Sequence, residues 1–192
     1  MVITYQGGNY FKIQSGDYTI LIDPENQRSF RGAQVVINTV KPTFSEPLEG
    51  EDAPVWIENQ GEYEIGGVRI HGYSTGWNEK AKCENTAYQI LFDDISLVVL
   101  GHLYNELDPK TISAFTDNDI AIVPAGGSPF LEITKIAKLT RQLEPGIIIP
   151  SLTEKPHTLL KELNREATAE EKLTIKKKEI EEKAMRVVWL KS

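Results

Sequence analysis

VVINTVKPTFSE, Val35 to Glu46, is the stretch on which the reading of this chain turns. Val35, Val36 and Ile37 form a continuous β-branched run, the mark of a fully buried strand. The run then dissolves into a polar loop in which Pro42 can supply neither a ladder nor a helix hydrogen bond. A second strand, YTILIDP, lies just upstream and ends in Asp23 and Pro24. The loop itself offers Asn38, Thr39, Lys41, Thr43 and Ser45, with no histidine or aspartate in any register.

Outward from this stretch, the first quarter reads as strands. VITYQ, YFKIQ and YTILID are separated by GG and SGD turn chemistry. VWIEN, GEYEI and VRIHGYS follow a proline-bearing loop, and Gly66-Gly67 between the last two predicts a two-residue hairpin turn. GWNEKAKCEN reads as a polar loop. TAYQILF and ISLVVLG flank Asp93-Asp94, a second hairpin signal. The second half then alternates. Asp108 as N-cap and Pro109 at the first helical position predict a short helix. IAIVPAGG and GIIIPS are buried strands. Two amphipathic helices are expected near Leu131–Leu143 and Thr158–Arg165. EKLTIKKKEI and MRVVWLKS are expected to close the chain as strands. The order predicts two mixed sheets packed face to face with helices outside, in one domain over residues 1–192.

Composition sets limits. The 192 residues are 40% hydrophobic and 26% charged, ordinary globular values. A net charge of −7 argues against nucleic acid as a partner, because phosphate contacts need clustered Lys and Arg. The one basic run, Lys176-Lys177-Lys178, is flanked by acidic residues. No apolar run approaches the roughly 18 residues of a membrane span, and the N-terminus lacks the form of a signal peptide. With Cys83 as the sole cysteine, a reducing, cytoplasmic setting is expected.

MVITYQGGNYFKIQSGDYTILIDP, GEYEIGGVRIHGYST, VVLGHLYNELDPKTI and DIAIVPAGGSPFLEITKIAKLTRQLEPGIIIPS resemble, in order, successive segments of metallo-β-lactamase-fold proteins of the small bacterial Zn-dependent hydrolase-like branch. The resemblance is collinear over nearly the whole chain and implies a four-layer αββα sandwich. It also implies zinc as the family cofactor, held by imidazole and carboxylate ligands around an activated water. The family's His-x-His-x-Asp-His motif falls on the loop after Asn38, where none of those residues occurs. Its next histidine falls near Trp77, its bridging aspartate on Val99, and its last histidine on Ser151-Leu152-Thr153. The resemblance therefore implies lost metal ligands, no bound metal, and a vestigial cleft of Asp23, Asn38, Thr39, Phe44, Trp77, Val99, His102 and Ser151. Phe44, Trp77 or Val99 is expected to fill part of the space.

Each candidate has a plainer reading. His102, between VVLG and a helix start, reads as a packed structural histidine before it reads as a ligand or base. Asp23 is equally a turn-former and a cleft residue. His71 reads as a surface strand residue and His157 as solvated. Gly126-Gly127 reads as a turn, and Cys83 has no histidine near it in sequence to activate it. The function expected is a non-catalytic binding or regulatory role toward a small molecule or protein. The alternative is a metal-dependent hydrolase with a non-standard site around Asp23 and His102.

Overall fold

The computed structural model describes residues 1–192. The chain opens with β1 (Val2–Tyr5), β2 (Phe11–Ser15), β3 (Tyr18–Ile22), β4 (Val35–Ile37), β5 (Val40–Lys41) and β6 (Val55–Ile57). It continues through β7 (Gly61–Ile65), β8 (Val68–Asn78), β9 (Cys83–Phe92) and β10 (Ile95–Val99). Alternation follows with α1 (Pro109–Ala114), β11 (Ile120–Pro124), α2 (Ile133–Leu143), β12 (Ile147–Ser151) and α3 (His157–Leu163). The short strands β13 (Ala169–Glu170), β14 (Leu173–Thr174), β15 (Arg186–Val187) and β16 (Trp189–Leu190) end it.

Two mixed sheets result, as expected. The first runs β14-β1-β2-β3-β4-β6 and the second β15-β12-β11-β10-β9-β8-β7, with β5 paired to β9 and β13 with β16 forming a small parallel pair. The meander strands pair antiparallel. Parallel pairing begins at β3–β4 in the first sheet and β10–β11 in the second. Inward side chains of both sheets, among them Ile20, Ile37, Tyr88, Ile90, Leu97 and Ile122, form one core. A second core holds α1, α2 and α3 against the other face of the second sheet through Phe115, Ile136, Leu139, Leu143 and Leu159. Each such side chain contributes about 1.5–3 kcal/mol on burial. The outer layer of the first sheet is thinner: a 3₁₀ turn, Gln27–Phe30, seats Phe30 on Leu21 and Val36. No helix is long and apolar enough to cross a membrane.

Local chemistry explains the turns. Gly66 and Gly67 both have positive φ, and a side chain at Gly66 would strike the Tyr18 ring. Asp93 and Asp94 also have positive φ, the form a type I′ turn requires. Asp108 caps α1 by accepting from the N–H groups of Lys110 and Thr111, with Pro109 behind it.

Two expectations need correction. GWNEKAKCEN is mostly strand, since β8 runs to Asn78 and β9 starts at Cys83, with an irregularity between Ser74 and Trp77. The ladder persists there although most of the residues are polar, because β9 is paired on both sides, with β8 and with β5. At the C-terminus, only Leu173–Thr174 of EKLTIKKKEI is strand. Lys177–Glu179 is a 3₁₀ turn, closed by the Glu179 carboxylate accepting from the Lys176 N–H. MRVVWLKS breaks into β15 beside β12 and β16 beside β13. Its facial alternation survives: Val187 joins the helix-side core, while Val188 and Leu190 join the inter-sheet core.

Candidate functional site

The C-terminal ends of β3, β4, β10 and β12 meet at one edge of the sandwich. Open parallel sheets gather ligands at such an edge. Asp23 follows β3 directly, Asn38 and Thr39 follow β4, His102 lies three residues beyond β10, and Ser151 ends β12. All five are buried.

Asp23 is the hub. Its backbone is left-handed, φ 44°, a conformation that costs an L-residue about 1 kcal/mol or more. That turn aims the carboxylate inward, where three donors meet it. Thr39 N–H reaches Oδ1 at 2.6 Å, Thr39 Oγ1 reaches Oδ2 at 2.5 Å, and Asn9 Nδ2 reaches Oδ2 at 2.7 Å. Thr39 Oγ1 also lies 3.0 Å from His102 Nδ1. A hydroxyl has one proton, and Thr39 gives it to Asp23. It must therefore accept from His102, which fixes the proton on Nδ1 and leaves Nε2 with a free lone pair. Burial lowers the pKa of His102, and the Asp23 carboxylate, 3.5 Å away, opposes that shift only in part. The imidazole is neutral at pH 7.

The remaining expected residues divide. Phe44, half exposed, lays its ring against His102 with centroids 5.3 Å apart. Val99 is fully buried in the inter-sheet core. Trp77 is 52% exposed and lines a groove with Lys41, Glu58 and Glu84. Asn38 donates to the Ile57 carbonyl and accepts from Tyr88 Oη at its own carbonyl. Ser151 Oγ, Asn38 Oδ1 and Asn9 Oδ1 are buried without a hydrogen-bond partner.

Three participants were missed from sequence. Asn9 follows the Gly7-Gly8 turn, and the β2–β3 pairing, Phe11 opposite Ile22, brings it to Asp23. Phe130 packs edge-on against His102 and, with rings tilted 41°, against Tyr104, which continues the aromatic row. Gly101 has φ 62°, and a β-carbon there would lie 2.4 Å from Thr39 Cβ. Its position beside His102 was visible, but not the close approach that demands glycine.

Zinc wants several imidazole, thiolate or carboxylate ligands with one position open. No three His, Cys, Asp or Glu side chains gather anywhere in the chain to supply them. Around Asp23 stand an amide, hydroxyls and one imidazole turned by its Nδ1–H toward Thr39, and both carboxylate oxygens are already engaged. The residues present do not fit the metal. His71 is half-buried, stacked on Tyr73, and lies outside this cluster. His157 is exposed, edge-on to Trp189.

Comparison with known proteins agrees with the topology. A candidate Zn-dependent hydrolase of the metallo-β-lactamase superfamily from Thermotoga maritima superposes with a TM-score of 0.76 at 20% identity, covering 99% of this chain and 98% of its own. The metallo-β-lactamase fold protein YhfI from Bacillus subtilis gives 0.67 at 11% identity, with 98% and 95% covered. Igni18, a metallo hydrolase from Ignicoccus hospitalis, gives 0.65 at 15% identity, with 91% and 99% covered. At these identities the likeness shows the fold alone. No curated protein matches the chain in sequence. Residues 2–151, by contrast, match the model of the β-lactamase superfamily domain, and with most of its length inside that match the chain belongs to the β-lactamase superfamily.

Proposed function

We infer that the chain is a single metallo-β-lactamase-like domain in which a hydrogen-bonded polar cluster replaces the metal site, and that it works by binding a small molecule or protein rather than by zinc hydrolysis. The observation that carries this reading is the closure of the Asp23 carboxylate by three donors, two from Thr39 and one from Asn9. A divalent ion placed there would have to displace those donors, with a single carboxylate to offset its desolvation. The hydroxyl and amide groups of Asn38, Thr39 and Ser151 are poor zinc ligands, since zinc prefers imidazole, thiolate and carboxylate.

A hydrolase with a non-standard site around Asp23 and His102 is the second reading. The free lone pair on His102 Nε2 favours it, because a neutral, oriented imidazole is a competent base. Metal analysis of protein purified without chelators separates the two. The binding reading expects far less than stoichiometric zinc and no rise in melting temperature on adding zinc. Stoichiometric zinc or iron, released when His102 is replaced by Ala, would overturn it in favour of the hydrolase.

A further inference from the structure

All four large hydrophobic side chains left exposed, Phe44, Leu48, Val55 and Trp77, lie on the segment from Phe44 to the start of β6 or at the end of β8. Of these only Trp77 lines a groove, and an exposed aromatic side chain at a groove marks a contact surface. Beside Trp77 runs an open groove of about 460 Å³, walled by Lys41, Thr43, Glu46, Glu58, Trp77 and Glu84. Its floor follows from strand register. Lys41 on β5 faces Glu84 on β9, and Glu84 faces Trp77 on β8. The three side chains therefore project from one face of the sheet.

The groove has one cation and three carboxylates. Lys41 Nζ is spent on Glu58 Oε1 at 2.7 Å and on Asn59. Glu84 accepts from Ser74 Oγ at 2.8 Å through Oε1, and Oε2 is left for another donor. An exposed indole beside unneutralised carboxylates is complementary to a planar cation. We propose that this groove docks an arginine side chain carried on an extended segment of another protein. The guanidinium stacks on the Trp77 face and forks toward Glu84 and Glu46. Arginine is preferred to lysine because a compact ammonium has no plane to stack. A second copy of this chain is a poor occupant. Its net charge is −7, and its one basic run contains Lys177, which is tied to Asp119 at 2.6 Å. This proposal rests on the binding reading above and names its partner.

The test titrates the full chain with a capped pentapeptide carrying one arginine between glycines, and with its lysine and citrulline counterparts. Proton–nitrogen correlation NMR follows the Trp77 indole N–H and the Lys41 and Glu84 amides. The arginine peptide should shift these signals saturably, the lysine peptide about three-fold more weakly, and the citrulline peptide not at all. Glu84→Gln and Trp77→Leu should each weaken binding about three- to ten-fold with an unchanged melting temperature. Unmoved signals, shifts elsewhere, or an equal response to citrulline would overturn the proposal. So would concentration-dependent dimerisation that buries Trp77. Zinc content is read on the same sample. Bound zinc overturns the parent reading whatever the peptide does, whereas zinc-free protein that ignores arginine overturns only the docking site.

Discussion

Gly101 approaches Thr39 so closely that a β-carbon on the glycine would sit 2.4 Å from the threonine Cβ and 2.5 Å from its hydroxyl. Thr39 is the residue through which Asp23 and His102 communicate, so the glycine sets the spacing of the whole cluster. Replacing Gly101 by Ala adds a left-handed strain at φ 62° to that clash. The two effects together should destabilise the fold by about 2–4 kcal/mol. Urea denaturation gives the value, and a loss under about 0.5 kcal/mol would show that Thr39 moves aside freely.

Asp23→Asn keeps the shape and tolerates the left-handed backbone equally well. It turns one acceptor oxygen into a donor facing donors. With the amide nitrogen in place of Oδ2 two hydrogen bonds are mismatched and the third loses the charge that strengthens it, and the expected cost is about 2–4 kcal/mol. Asp17→Asn, at an exposed turn, should be silent by comparison. Equal effects at the two positions would contradict the account of the hub.

The His102 pKa is lowered from its usual 6.5 because burial disfavours the imidazolium. Between the lowered value and 6.5 the unfolded chain binds the extra proton, so stability rises with pH through that window. The stabilisation is complete above about pH 6.5 and is lost as pH falls toward the folded value, by at most about 1.4 kcal/mol per pH unit. His102→Gln should flatten this part of the pH–stability curve. Nitrogen NMR at pH 7 should report the tautomer protonated at Nδ1, and a proton on Nε2 would reverse the direction of the Thr39 hydroxyl.

Removing residues 185–192 takes Val187 from the helix-side core and Val188 and Leu190 from the inter-sheet core. It also frees the β12 edge that β15 covers. The truncated chain should be insoluble or unfolded. A soluble product with the parental melting transition would show these short strands to be accessory.

The fold was legible where local chemistry and tertiary demand agree. Gly66-Gly67 and Asp93-Asp94 can take the backbone their turns require, and Asp108-Pro109 starts a helix without help. Ile120–Pro124 and Ile147–Ser151 are apolar on both faces because both faces are covered. The extension of β8 to Asn78 and of β9 back to Cys83 was not legible. Gly76 is exposed and Asn78 and Glu84 are half-buried polar residues on a ladder held by its partner strand, so no apolar period marks them. The cluster was half legible for a similar reason. Asp23, Thr39 and His102, each singled out in the sequence, are brought together by hydrogen bonds, whereas Asn9 enters through pairing between strands and carries no local sign. Trp77 stood at a position expected to fill the old site, but its register opposite Glu84 carries it into the neighbouring groove.

Thr39 has a further consequence. Its N–H bonds Asp23 at the end of the first sheet, and its carbonyl accepts from the Thr86 N–H, 2.8 Å away in the second. A single residue's two peptide groups thus act as a rivet through both plates of the sandwich. The jaw at this edge has a fixed gape: the plates cannot part here without shearing the rivet and uncovering a buried carboxylate in the same movement. The amide protons of Thr39 and Thr86 should therefore be among the slowest in the molecule to exchange with solvent, released together and only when the whole chain unfolds.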